Sequence, residues 1–274
     1  MLAIGWFSTG RDEAARQLLR VVWDSVQSSE IEGEIVFIFS NREPGECEES
    51  DLFFELVHSY RIPLICLSSK RFKATQDVAE VQTAKEGTLP GWRLEYDREI
   101  MRRLQGFTAD LCVLAGYMLI LGEEMCQKHD MINLHPAAPG GPTGTWQEVT
   151  WKLIEDKARD SGVLMNSVTP ELDRGPVVTY CTFPITGGIL DKHWREVAKR
   201  PIAQLKKEQG ENNTLFRLIR QHGLARESPL IVSTLKAFSQ GEIRIESGRV
   251  LNRSGERIAG YDLTDEVNRE LKLK

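Results

Sequence analysis

Apolar positions along the chain fall into two alternating rhythms. Short, almost wholly apolar runs occupy 2–7, 34–40, 62–67, 111–115 and 131–135. Between several of them, apolar residues recur at helical spacing, as Ala15, Leu18, Leu19, Val22, Trp23 and Val26 do within 12–27. Short apolar runs predict strands, and a spacing of three to four predicts helices, here over 12–27, 52–60 and 93–104. Strands apolar on both faces, alternating with helices, predict a Rossmann-like, doubly wound, mostly parallel α/β sheet. Ligands of such sheets lie at the carboxyl ends of the strands.

After Gly144 the rhythm changes. A helix is predicted over 146–157 and strands over 162–169 and 176–183, with a polar, charged insertion, helical at its centre, over 187–213. Residues 215–238 read as one or two helices broken near Gly223 and Pro229, both poor residues for a helix interior. A hairpin over 242–245 and 249–252 turns at Ser247-Gly248, and 263–273 predict a charged amphipathic helix. The expected organisation is a main α/β domain over 1–185. Residues 186–274 add a helical insertion and a C-terminal extension of helix and hairpin, packed on the same domain.

Composition narrows the function classes. The 274 residues are 41% hydrophobic and 27% charged, with a formal net charge of −5. That balance argues against nucleic acid as the main partner, since such domains carry a basic surface. The longest apolar stretch, 111–121, is too short to cross a bilayer, and Met1-Leu2-Ala3-Ile4-Gly5 lacks a secretory leader's charged start. The five cysteines (Cys47, Cys66, Cys112, Cys126 and Cys181) are scattered and form no C-x-x-C pair. The expectation is a cytoplasmic protein with neither a disulfide framework nor a metal site.

The chemistry concentrates in two motifs. Asn133-Leu134-His135-Pro136 ends the apolar run 131–134, and Leu172-Asp173-Arg174-Gly175-Pro176 follows between two predicted strands. Residues two apart on a strand share a face, so Asn133 and His135 address one reacting centre. An amide donor, an imidazole and a carboxylate are what acyl transfer to an amine requires. They serve as a donor to the carbonyl oxygen, a proton carrier and an anion that orients it.

Residues 109–118 (Ala-Asp-Leu-Cys-Val-Leu-Ala-Gly-Tyr-Met), with Ile132 to Pro136 and Glu171 to Val178, closely resemble the folate-dependent formyltransferases. The resemblance is nearest to members that act on glycinamide ribonucleotide. It covers roughly 1–185 and, more weakly, 214–245. It implies transfer of a formyl group from 10-formyltetrahydrofolate, as cosubstrate, to a small-molecule amine, by default glycinamide ribonucleotide in purine biosynthesis. It maps the catalytic set onto Asn133, His135 and Asp173. It places folate against Met118, Leu119, Ile120 and Leu121 and along Val168, Thr169, Pro170 and Glu171. The acceptor falls near Gly10, Arg11 and Pro136. The sequence is also compatible with a homodimer.

Four departures from that pattern concern the acceptor and the cleft. Ala137-Ala138-Pro139-Gly140 replaces a Ser-Leu-Leu-Pro loop, and Gly10-Arg11-Asp12-Glu13 replaces a Gly-Ser-Asn phosphate cradle. Asn166 stands in place of a histidine, and Leu224 stands near the position of a glutamate. Asp12 and Glu13 suit the helix dipole but oppose a phosphate. The alternatives are therefore a non-phosphorylated acceptor (an amino sugar or a hydroxylated ornithine), water, or an inactive folate-binding homologue.

Overall fold

A computed structural model describes residues 1–75 and 89–273. Strand β1 (Leu2–Phe7) leads through helix α1 (Glu13–Gln27) to β2 (Gly33–Ser40). Helix α2 (Glu48–Ser59), β3 (Leu64–Cys66) and α3 (Ser69–Ala74) follow. The chain then returns through α4 (Gly91–Arg103), β4 (Leu111–Leu114), α5 (Glu123–Lys128) and β5 (Met131–His135). Helix α6 (Trp146–Glu155) precedes the long strands β6 (Asp160–Ser167) and β7 (Val177–Pro184). Helices α7 (Ile189–Val197) and α8 (Ile202–Glu208) and a 3-10 turn lead to the long helix α9 (Thr214–Ser239). The hairpin β8 (Ile243–Glu246) and β9 (Arg249–Asn252), strand β10 (Tyr261–Asp262) and helix α10 (Thr264–Leu273) complete the described chain.

The main sheet has the order β10-β7-β6-β5-β4-β1-β2-β3. Strands β1 to β5 run parallel, β6 opposes β5, and β7 opposes β6. Alternation along the strands separates two cores. Ile4, Trp6 and Ile38 join Leu19 and Val22 of α1 in one buried cluster. Phe7, Phe37 and Phe39 join Tyr96 and Ile100 of α4 in the other. The chain leaves β1 for β2 on one side and returns to β4 on the other, so the loops after β1 and β4 diverge. That divergence opens the crevice in which open α/β sheets bind ligands.

The expected break between 215 and 238 does not occur: α9 runs unbroken through Gly223 and Pro229. An internal proline costs about 3 kcal/mol, and burying one large apolar side chain returns about 1.5–3 kcal/mol. Leu215, Phe216, Ile219, Leu230, Ile231 and Leu235 are all buried along this helix, so packing outweighs propensity. The 187–213 segment is also less detached than its polarity suggests. Leu190, Val197 and Leu205 enter the core, and the Trp194 indole N–H donates to the Ile185 carbonyl at 2.6 Å. The short helices α3 and α5 and the two-residue β10 carry too few apolar positions to show a period. Among the described residues no helix is long and apolar enough to cross a membrane.

Candidate active site

A cleft of about 430 Å³ opens over the carboxyl ends of β1, β4 and β5. Its first wall is the loop after β1. There Thr9 ties three segments together. Its N–H donates to the Gly116 carbonyl (3.2 Å), its hydroxyl donates to Asn41 Oδ1 (2.8 Å), and that hydroxyl accepts the Met118 N–H (3.2 Å). The loop after β4 is thereby fixed to the loop after β1 at the switch point.

Asn133 and His135 share the cleft face of β5, as their spacing requires, and both line the cavity. The antiparallel neighbour β6 places Asn166 opposite Asn133. Asp173 arrives from the β6–β7 connection with φ of 54°, a conformation that aspartate tolerates better than most residues. Its carboxylate joins the two others. Asn133 Nδ2 donates to Asp173 Oδ1 at 3.4 Å, His135 Nδ1 lies 3.4 Å from Oδ2, and the Gly144 N–H donates to Oδ2 at 3.2 Å. Asn133 Nδ2 is also 3.4 Å from Asn166 Oδ1.

The His135 ring is 4% exposed and its Nε2 lies 2.9 Å from the Pro142 carbonyl. Both ring nitrogens thus face oxygen atoms. The Ala137 to Pro142 loop, where the sequence departs from the formyltransferase pattern, supplies the second of them.

The expected folate-side residues divide. Met118, Leu119, Ile120, Leu121, Val168 and Thr169 line the cleft. Pro170 and Glu171 are exposed at the tip of the β6–β7 loop and are not among its lining residues. On the acceptor side Arg11 and Pro136 line the cleft, whereas Gly10 does not. Gly10 has a structural reason to be glycine: φ is 62°, and a Cβ there would lie 2.9 Å from the Phe53 ring.

Near α1 the charges are already paired. Asp12 caps the helix, Oδ1 accepting the Ala15 N–H at 3.0 Å while Oδ2 pairs with Arg11 at 3.2 Å. Glu13 turns to Arg16 and Arg20, each at 2.6 Å. Hydrogen bonds from Arg20 and then Arg16 hold its carboxyl below the usual range.

The far wall was not anticipated from the sequence. Arg220 and Glu227 of α9 form an ion pair on it, and the Arg220 guanidinium lies 4.9 Å above the Trp146 ring. The pair sits seven residues apart, two turns along one helix face. A helix expected to break at Gly223 conceals that relation. Leu224 is 43% exposed and lies off the cleft, while Glu227 is 8% exposed on its wall. Thr145 and Glu148 also line the cleft, as the capping box that starts α6. That Thr-x-x-Glu signature is readable in the sequence.

A doubly wound α/β sheet with its cleft at the switch point defines a small-molecule site of the Rossmann-like class. The chain belongs to the formyl transferase family, whose profile matches residues 14–200. It is 31% identical over 111 residues to phosphoribosylglycinamide formyltransferase of Dictyostelium discoideum, covering 37% of this chain and 54% of that protein. The chain spans about half the length of the curated relatives it matches. In fold it resembles phosphoribosylglycinamide formyltransferase of Coxiella burnetii (TM-score 0.66, 18% identity, 95% of this chain and 98% of that one). It also resembles a formyltetrahydrofolate deformylase of Pseudomonas syringae pv. tomato (TM-score 0.58, 17% identity, 91% of this chain and 65% of that one).

Proposed function

We propose that the protein transfers the formyl group of 10-formyltetrahydrofolate to an amine, with glycinamide ribonucleotide as the default acceptor. The observation that carries this reading is the convergence of Asn133, His135 and Asp173 at the floor of the cleft, beside an apolar wall of 118–121. An apolar slot edged by backbone polar groups suits a pterin. That curated relatives are phosphoribosylglycinamide formyltransferases supports glycinamide ribonucleotide as the acceptor.

In this reading the amine nitrogen attacks the formyl carbon and the carbonyl electrons move onto its oxygen. The bond from that carbon to folate N10 then breaks. The proton lost by the amine ends on N10, leaving a formamide and tetrahydrofolate. Asn133 Nδ2 donates to the developing oxyanion, a contact of the kind worth about 3–4 kcal/mol. Asp173, itself anchored by the Gly144 N–H, holds His135 through Nδ1. For His135 to donate to the formyl oxygen, its Nε2 exchanges the Pro142 carbonyl for that oxygen. Otherwise it acts through Asp173 as a proton relay. Incubation with 10-formyltetrahydrofolate and a panel of amines, read by release of tetrahydrofolate, tests the assignment. Amine-dependent release is expected, and no release with any amine overturns it.

One observation favours a second reading, in which the acceptor carries no phosphate or is water. Phosphate-binding helices aim free N–H groups at the anion, but Asp12 already occupies the Ala15 N–H. Asp12→Ser keeps a capping oxygen and removes the competing charge. It is expected to lower KM for glycinamide ribonucleotide by about tenfold, measured by steady-state kinetics. An unchanged KM would remove the phosphate from this end of the cleft, and turnover of a non-phosphorylated amine or of water but not of glycinamide ribonucleotide would put the second reading in first place.

A further inference from the structure

We propose that the buried Arg93–Asp97 pair of α4 is a positioning clamp for the folate-facing loop 118–122, gripping its backbone from behind the cleft wall. The proposal rests on the reading of that wall as the formyl-folate site. The two side chains lie one helical turn apart, 3.0 Å from each other, and are 5% and 3% exposed. Each also holds the loop. Arg93 Nη2 donates to the Ile120 carbonyl at 2.6 Å, and Asp97 Oδ2 accepts the Gly122 N–H at 2.6 Å. The clamp therefore closes on both sides of Leu121, a residue that lines the cleft.

The surroundings are built to keep the pair in register. The Arg93 guanidinium lies against the Trp92 and Tyr96 rings, 5.4 and 5.1 Å from their centroids. Gly122 permits the close approach: a Cβ there would stand 3.1 Å from Asp97 Oδ2 and 2.8 Å from Leu94 Cδ2.

Stability does not account for these residues. A buried ion pair is often no better than apolar side chains of the same volume. Here burial pushes the Asp97 carboxyl above its ordinary range despite the opposing pull of Arg93. Arg93 Nη1 also has no hydrogen-bond partner among the described residues. What an apolar pair cannot supply is two directed hydrogen bonds to a loop that lacks a sheet or helix ladder. A ligand read by backbone polar groups needs those groups held within a fraction of an ångström.

The decisive variant is Arg93→Met/Asp97→Leu, which replaces the ion pair with apolar volume. Hydrogen exchange of the 118–122 amides is expected to accelerate about tenfold or more. The Kd for 5-formyltetrahydrofolate, used as a stable probe, is expected to rise about tenfold. In turnover, KM for the formyl donor rises while KM for the amine and kcat stay close to wild type. A merely structural role would instead reduce kcat by loss of active protein and leave both KM values unchanged. Unchanged exchange and probe affinity in the folded double variant would overturn the clamp. Should that variant not fold, the smaller and equally uncharged Arg93→Leu/Asp97→Ala, which also leaves the Gly122 N–H without its acceptor, is read by exchange at Gly122, where wild-type protection would equally overturn it. Wild-type protein that fails to bind the probe would count against the formyl-folate reading alone, and exchange would still decide the clamp.

Discussion

Replacing Asn133 with alanine is expected to lower kcat by about 10²–10³-fold, the usual cost of removing one donor to a developing oxyanion. His135→Ala is expected to cost about 10²–10⁴-fold, the range for a group that moves protons in the transition state. The two losses should not add. Both side chains meet at the Asp173 carboxylate, at 3.4 Å each, and residues that act as a unit show strong non-additivity. The double variant should therefore be little worse than the poorer single one. Steady-state turnover of 10-formyltetrahydrofolate with the best amine, alongside circular dichroism to confirm folding, provides the measurement. Full activity in either folded variant would remove that residue from the site.

Gly175→Ala is expected to be nearly as damaging, although Gly175 neither titrates nor lines the cleft. A Cβ at this position would fall 1.7 Å from the Ser167 carbonyl oxygen. Backbone atoms cannot share that space, so the loop must move away from β6 by more than an ångström. The Ser167 N–H donates to the Pro176 carbonyl at 2.8 Å and closes the base of the same loop. Movement there carries Asp173, two residues earlier, away from His135 and from the Gly144 N–H. A displacement of about 1 Å can cost about 10²-fold in rate. Overpacking of this kind also destabilises by about 1–3 kcal/mol, which lowers Tm by several degrees in a chain of this size. Gly106→Ala is the control, because a Cβ there meets nothing within 4 Å. Wild-type kcat in Gly175→Ala would show that the placement of Asp173 does not depend on this contact.

Much of the candidate site's geometry could be read in the sequence, because it depends on local rules. Two-residue spacing on an apolar run placed Asn133 and His135 on one face of β5. The strand–helix alternation placed that strand's end at a ligand crevice. The Asp-Arg-Gly-Pro stretch marked a turn that delivers a carboxylate. The rest is set by packing. Pro229 and Gly223 carry strong local signals against a helix, yet the buried faces of α9 override them. Only the unbroken helix sets Arg220 and Glu227 on one wall. The cap formed by Asp12 was half visible: its charge opposed a phosphate in the sequence, but its occupation of the Ala15 N–H is a fact of geometry. Glu13 carries the same charge and proves irrelevant to the cleft, because Arg16 and Arg20 claim it. The Arg93–Asp97 spacing fits any surface ion pair on a helix, and only burial distinguishes it.

In the proposed function this cleft moves a formyl carbon from folate to an amine nitrogen. The most direct measurement supplies 10-formyltetrahydrofolate labelled with ¹³C in the formyl group, together with glycinamide ribonucleotide, and follows the label by NMR. The label is expected to appear as a formamide on the amine, at a rate lowered at least about 10²-fold by Asn133→Ala and by His135→Ala. Label that stays on folate, or appears only as free formate with every amine tried, would contradict it.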